Sequence, residues 1–110
     1  MATADIKTLN AINKVLDKFA TRLSPELSPV FTKIRGAVIE TALSYYIHDI
    51  TKSLESLVAT IHIIIVMKSY DIAQTTKTKS TKDNLDKIRQ IALKLVHKSI
   101  KTESIKNNCN

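Results

Sequence analysis

Four lysines in the last third of the chain have a spacing that could place their ammonium groups on a row of phosphates. Lys87, Lys94, Lys98 and Lys101 follow one another at intervals of seven, four and three residues. On an α-helix these four positions fall within about 60° of one another. Such a row can follow a nucleic-acid backbone, although phosphate contacts do not read base sequence. An ordinary solvated lysine face, which only keeps the protein soluble, has the same pattern.

The distribution of charge supports an anionic partner. Residues 75–110 carry nine Lys and Arg against three Asp and Glu, whereas residues 1–74 carry eight against seven. A near-neutral scaffold with a basic end favours binding to nucleic acid or to an anionic membrane. We do not expect membrane-surface binding, because the last predicted helix lacks Trp and Phe. Three more lysines lie in a polar segment, residues 75–82, that we interpret as a solvated loop: Lys77, Lys79 and Lys82.

The residue types that could support catalysis or metal binding are not arranged to do so. His48 and His62 are fourteen residues apart, about 21 Å along one straight helix, which is too far to share a metal ion. No Cys, His and carboxylate set has zinc-ligand spacing, and nucleophile motifs and glycine-rich phosphate loops are absent. Cys109 is the only cysteine and cannot form an internal disulfide. We predict no catalytic residue, no metal site, no cofactor and no enzymatic activity.

Signals for export or membrane insertion are also lacking. The N-terminal segment has no apolar signal core. The longest apolar run, residues 57–67, is interrupted by Thr60 and His62 and is too short to span a bilayer. We therefore expect an intracellular protein, cytoplasmic or nuclear. The bias toward Ile, Lys, Asn, Ser and Thr suggests an AT-rich coding sequence, as in some viruses and parasites.

Helices are the elements that must position these lysines. One glycine and two prolines in 110 residues provide little turn chemistry for a β-sandwich. We predict a first helix over about residues 4–23, from the 3,4 spacing of its apolar seam Leu9, Ile12, Leu16, Phe19 and Leu23. The last helix should cover about residues 82–99, starting at a capping box formed by Ser80 and Asp83, before a frayed tail to residue 110.

The central segment, about residues 29–74, has the clearest periodicity in the chain. Its apolar residues alternate at intervals of four and three from Leu43 to Ile64. This pattern predicts either one helix about 70 Å long or two helices with a break near residues 48–53. A buried strand over Val58–Val66 is a competing interpretation, since Ile and Val favour sheets. The helical seam continues in phase through this run, and this favours helix.

The stretch Leu57–Met67 also predicts an interface, because it is apolar on nearly every side. A helix of that kind must be covered all round, which two short companion helices cannot easily do. We therefore predict a homodimer; the alternatives are a tight monomeric bundle and a foreign partner helix. The predicted interface residues are Leu54, Leu57, Val58, Ile61, Ile64 and Ile65.

These observations predict a single all-α domain. We expect a small elongated bundle of three to four helices with coiled-coil-like packing, forming a dimer. The predicted function is non-enzymatic binding of duplex nucleic acid, RNA in preference to DNA, by shape and charge through the lysine-rich face. The alternative is a helical protein–protein interaction module, an adaptor or effector. In that case the apolar central helix binds a protein partner and the lysines only solvate the surface.

Overall fold

The computed structural model contains four α-helices. It describes the backbone of residues 3–48 and 54–108 and the side chains of residues 6–45 and 56–100. No strand occurs within these ranges, so the all-α class is confirmed and the strand interpretation of residues 58–66 is wrong. The helices are α1 (Thr3–Ala20), α2 (Ser28–His48), α3 (Leu54–Thr75) and α4 (Lys79–Asn108).

The first helix ends earlier than predicted, at Ala20 rather than near Leu23. The backbone N–H groups of Thr21, Arg22 and Leu23 each donate to the carbonyl three residues before them, at 3.0–3.3 Å. Such i→i−3 bonds tighten the last turn and satisfy carbonyls that have no α-helical partner. The chain then turns through residues 21–27, and α2 begins at Ser28, one residue before its predicted start.

The central segment folds as two helices. The second helix, α2, ends at His48 and α3 begins at Leu54, on either side of the predicted break; residues 49–53 themselves lie outside the described ranges. The two helices pack against each other, and the longest dimension of the molecule is 45 Å. A continuous helix over this segment would measure about 70 Å. The two-helix alternative is therefore confirmed.

The connection between α3 and α4 is shorter than the predicted loop over residues 75–82. Residues 76–78 join the two helices, and Thr78 immediately precedes α4. The carbonyl of Thr78 accepts the Lys82 N–H at 3.0 Å, as expected at an N-cap position. The predicted capping box is wrong, because Ser80 lies inside the helix. The last helix, α4, continues to Asn108 and does not end near residue 99 as predicted; Cys109 lies outside the described ranges.

Two helices, α2 and α3, each contact all of the others. The third helix, α3, packs against α1, α2 and α4, whereas α1 and α4 have no contact with each other among the described residues. The molecule measures 45 × 42 × 23 Å, so the bundle is compact and flattened rather than elongated as predicted. The predicted seam of α1 is buried in its middle, at Ile12, Leu16 and Phe19.

The first half of α2 supplies part of the core that sequence analysis did not identify. Its buried residues recur mainly at intervals of four, and a single row of this kind is typical of one helix face against a core. The same helix is tied to α1 by Arg35, whose Nη2 donates to Asp17 Oδ1 at 2.7 Å and to Asn13 Oδ1 at 3.1 Å. The buried side chains of α2 are Val30, Phe31, Ile34, Val38 and Ala42.

Candidate nucleic-acid interface

The outer face of α4 carries the predicted lysine row. Lys87, Lys94 and Lys98 are exposed, opposite a face that is anchored in the core by Leu85 and Ile88. Along the helix axis, successive lysines of this row are about 10.5 and 6 Å apart, at 1.5 Å per residue. The structure therefore brings these three lysines together on one exposed face. The side chain of Lys101, the fourth predicted member, lies outside the described residues.

The remaining predicted lysines cluster at the beginning of α4. Lys77 lies in the connection, whereas Lys79 and Lys82 belong to the first turn of the helix and not to a loop as predicted. All three side chains are exposed. The N-terminal end of a helix carries a partial positive charge of its own. Three lysines there add charge of the same sign, so this end of α4 has a locally positive potential.

One acidic residue of α4, Asp86, pairs with an arginine and not with Lys87 or Lys94. Asp86 accepts a hydrogen bond from Arg89 one turn away. The guanidinium carbon of Arg89 also lies 6.0 Å from the ring centroid of Tyr70 on α3, within the range of a cation–π contact. Among the described residues, no carboxylate lies within ion-pair distance of Lys87 or Lys94. Their charges therefore remain available to a ligand.

Most of the predicted interface residues of α3 lie inside the bundle instead of on its surface. The helices of the same chain cover them, because α3 is enclosed by three neighbours and not by two. The structure therefore corrects the predicted interface for these side chains. Val58 is 44% exposed, and the side chain of Leu54 lies outside the described residues. The buried side chains are Leu57, Ile61, Ile64 and Ile65.

A different set of α3 side chains forms an exposed apolar stripe. Ile63, Met67 and Tyr70 are each about half exposed, at 44%, 52% and 53%. Their spacing of four and three residues places them on one side of the helix. They lie away from the buried side that contains Ile61 and Ile65. The apolar side chains of α3 thus form two faces: the neighbouring helices cover one, and the other remains exposed.

His62 lies in the cleft between α1 and α3. Its imidazole ring centroid is 5.9 Å from that of Phe19. Burial lowers the pKa of His62 below its usual value, and the positive charge of Arg22 lowers it further. The neutral imidazole is therefore favoured at neutral pH. Within the described part of the chain, no three His, Cys, Asp or Glu residues are grouped closely enough to hold a metal ion.

A second row of cations, on α1, was missed by sequence analysis. Lys7, Lys14 and Lys18 are exposed and lie within about 40° of one another on the helix. Arg22 follows them just beyond the end of α1 and is also exposed. The interval of seven and then four residues was the available signal. It was hidden because the charge of residues 1–74 is nearly balanced as a whole.

The hydropathy of α3 gives a further result. Within the described residues, one helical segment, Ser56–Thr75, is long and apolar enough by length and composition to cross a membrane. The prediction that no segment spans a bilayer rested on the shorter run of residues 57–67, which Thr60 and His62 interrupt. The central helix of a water-soluble bundle meets the same criterion, and α3 packs against three other helices. This property alone therefore does not assign α3 to a membrane.

Architecture alone does not identify a function here, because helical bundles support many unrelated activities. The functional interpretation must come from the side chains, and the most distinctive of these are the lysine row of α4, the uncovered stripe of α3 and the cation row of α1. Comparisons of the chain with protein-family models, with curated proteins and with solved structures found no match.

Proposed function

We propose that this protein is a non-enzymatic nucleic-acid-binding bundle whose outer α4 face contacts the phosphates of a duplex. The observation that carries the proposal is the exposed lysine row on a helix whose opposite face is fixed in the core. A rigid helix holds the charges at fixed spacing, which reduces the conformational entropy lost on binding. Lys77, Lys79 and Lys82 extend the positive surface at the beginning of the helix.

Recognition by shape, and RNA in preference to DNA, follows from the residue types on this face. Proteins that read DNA bases in the major groove commonly use Arg, Asn and Gln side chains on a recognition helix. The exposed lysines on the outer face of α4 suit phosphate contacts, and one exposed amide side chain, Gln90, lies among them. Duplex RNA has a deep, narrow major groove that side chains do not read, and it is bound mostly through phosphates and 2′-hydroxyls. A lysine row suits that mode.

The absence of enzymatic activity is part of the proposal. A cavity of about 490 Å³ is an open groove between α2 and α3. The described residues that line it include one carboxylate, Glu40, and one ammonium group, Lys68, but no histidine or cysteine. Nucleophilic catalysis requires a nucleophile activated by a base or by a lowered pKa. The described lining provides no histidine–cysteine or histidine–serine pair of that kind.

The salt dependence of duplex binding tests the proposed interface. Affinity should fall with a log–log slope near −0.9 for each duplex phosphate contacted, so three to five contacts give roughly −3 to −4.5. The Lys87→Gln/Lys94→Gln variant should reduce the magnitude of that slope by about 1.8. Binding of all duplex sequences should weaken about equally, since no base is read. Fluorescence anisotropy with 20-bp RNA and DNA duplexes of the same sequence measures the affinity for each duplex and its dependence on salt.

A matched variant tests whether binding depends on the α4 lysines or only on the net charge of the protein. Lys14→Gln/Lys18→Gln removes the same two charges from α1 and should leave the slope close to that of the wild type. Both variants change exposed side chains, which usually shifts stability by less than about 0.5 kcal/mol. Equal slopes for the wild type and the α4 variant would show that α4 is not the binding face. Tighter binding to the DNA duplex would contradict the preference for RNA.

A second candidate function is a helical interaction module that uses the exposed stripe Ile63, Met67 and Tyr70. The supporting observation is the coiled-coil spacing of these three half-exposed apolar side chains. We propose a second copy of the chain as the occupant, because two identical seams can pack across a two-fold axis. This proposal keeps the homodimer and the coiled-coil packing, but moves the interface from the buried side of α3 to its exposed side.

Sedimentation at tens of micromolar tests the dimer. Ile63→Asp/Met67→Asp places two carboxylates on the seam and should give a folded monomer, since neither side chain belongs to the buried core. Lys33→Asp makes the same change in net charge at an exposed position of α2 and should leave the dimer intact. A wild-type protein that sediments as a monomer refutes the dimer. It leaves the proposed phosphate contacts of α4 unaffected.

A further inference from the structure

A groove between α1 and α3 combines an apolar floor with a cationic rim. Two cavities open along it, of about 470 Å³ and about 120 Å³. Val15 of α1 and Val58 of α3 line both cavities, so the two cavities adjoin, and together they are called the trough. The trough lies beside α1, which makes no contact with α4 among the described residues. It is therefore separate from the lysine row proposed to contact phosphates.

The floor of the trough is apolar along its length. Ala11 and Leu57 line the larger cavity, and Phe19 lines the smaller one. Val58 lies between them and is 44% exposed. When a ligand covers a half-exposed branched side chain at the centre of a concave surface, apolar area is removed from water and binding becomes more favourable. The floor therefore favours an elongated apolar ligand.

The rim carries four cations on the α1 side. Lys7 and Lys14 line the larger cavity, and Lys18 and Arg22 line the smaller one. The described ion pairs leave all four without a carboxylate partner, because Asp17 is engaged by Arg35 from α2. From Lys7 to Lys18 the rim extends about 16 Å, or three helical turns. The positive charges thus recur along the whole trough.

We propose that the α1–α3 groove binds an amphipathic helix of another protein, with an apolar ridge on the floor and a row of Asp or Glu along the rim. A helix in a groove is a common recognition mode, with anchors spaced at three, four and seven residues. The intervals between Lys7, Lys14 and Lys18 match carboxylates placed at the same intervals on a helix lying alongside. Charge complementarity along the rim fixes the register and the partner.

Other occupants fit the trough less well. A nucleic-acid backbone has no apolar surface to cover Val15 and Val58. A flat bilayer surface does not reach the apolar floor of the trough, because the floor is concave and the cations lie at its rim. A fatty acid has one carboxylate, whereas three lysines recur along three turns of α1 and Arg22 follows them. A second copy of this chain does not match the rim, because its acidic residues nowhere recur at intervals of seven and four.

A designed peptide provides the test. The probe is a fluorescent 18-residue helix with a Leu and Ala ridge and Glu on one flank, compared with a peptide in which each Glu is replaced by Lys. Anisotropy should show saturable binding of the Glu peptide only, weakening as salt is raised because the rim contacts are exposed. Binding should also shift the imidazole NMR resonances of His62, which lines the smaller cavity.

Charge reversal locates the site. Lys14→Glu/Lys18→Glu should weaken Glu-peptide binding by about tenfold or more, whereas the matched Lys87→Glu/Lys94→Glu variant on α4 should stay within about twofold of the wild type. Val58→Glu should also weaken binding, because it places a carboxylate on the floor opposite the carboxylates of the ligand. Circular dichroism checks that each variant is folded.

Three results would overturn the proposal. The first is no Glu-peptide binding up to about 1 mM. The second is an equal loss of affinity in the α1 and α4 variants, which would indicate attraction to net charge alone. The third is an α1-dependent affinity for vesicles containing phosphatidylserine, or for duplex RNA, in the absence of peptide binding. That result would assign the cations of α1 to a membrane or to nucleic acid.

Discussion

Replacing Ile61 or Ile63 with alanine tests which side of α3 faces the core. The two residues have the same chemistry and lie two positions apart, but Ile61 is fully buried and Ile63 is 44% exposed. Truncating a buried isoleucine to alanine costs about 2–5 kcal/mol, including the cavity left behind. Three carbons at about 0.8 kcal/mol each, half removed from water, give about 1 kcal/mol for Ile63. Ile61→Ala should therefore lose at least twice as much stability as Ile63→Ala.

Guanidinium denaturation followed by far-ultraviolet circular dichroism measures both losses. A domain of this size has a total free energy of unfolding of about 5–15 kcal/mol, so Ile61→Ala should stay folded in the absence of denaturant. Equal slopes of free energy against denaturant are needed before the midpoints are compared. Two protein concentrations should be used, since a dimer held together by Ile63 would make stability concentration-dependent.

Equal losses for the two variants, or a larger loss for Ile63→Ala, would refute the orientation of α3. The proposed α3 seam and the α1–α3 groove would then both need to be revised, because each depends on which α3 side chains are exposed. A larger loss for Ile63→Ala only at high protein concentration would instead support the dimer.

Three other substitutions give separate tests of the fold. Gly36→Ala should stabilise α2 by about 0.5–1 kcal/mol, raising the thermal midpoint by a few degrees, because the added Cβ meets nothing within 4 Å; a lower midpoint would contradict this. His62 has a lowered pKa in the folded state, so the unfolded state binds more protons just below pH 6.5 and stability should fall as the pH falls through that range. His62→Gln should remove that part of the pH dependence, and an unchanged dependence would refute the burial of His62. Arg35→Gln should cost about 1 kcal/mol, since its partner Asp17 is largely exposed and screened; a double-mutant cycle with Asp17→Asn should give a measurable coupling, and zero coupling would exclude the pair as a link between α1 and α2.

The helical periodicity predicted much of the fold. The 3,4 spacing in α1 identified Ile12, Leu16 and Phe19, which are buried. The last helix was placed with its lysines outward, and Lys87 and Lys94 are exposed. These predictions succeeded because an amphipathic pattern has one apolar side, so the pattern alone determines which side is covered.

The choice of the buried side of α3 could not be predicted in the same way. Ile61, Ile63 and Ile65 are chemically identical, and a helix that is apolar all round has no preferred side of its own. The positions of the neighbouring helices decide that Ile61 and Ile65 are covered and Ile63 is not. Local rules cannot determine this selection, because it depends on contacts between residues distant in sequence.

The beginning of α4 was mispredicted for a related reason. Residues 75–81 contain several hydroxyl side chains, and Thr78 and Ser80 are both suitable N-caps. Extending the helix back to Lys79 adds backbone hydrogen bonds, including the one from Lys82 to Thr78. A helix that began at a capping box on Ser80 would lack these backbone hydrogen bonds. The cation row of α1 was missed because the charge of residues 1–74 is nearly balanced as a whole, and only the fold shows that Asp17 pairs with Arg35.

The short connection between α3 and α4 has a consequence for local opening of the bundle. Residues 76–78 join the two helices whose packing is the most extensive in the molecule, and contacts close in sequence form at low loop-closure cost. The first helix contacts α2 and α3 but not α4, so it can detach without separating the α3–α4 hairpin. Amide hydrogen exchange should therefore be slowest around Ile65 and Ile88 and faster in α1. A ligand in the α1–α3 groove would slow exchange mainly in α1, because it would hold that helix against the hairpin.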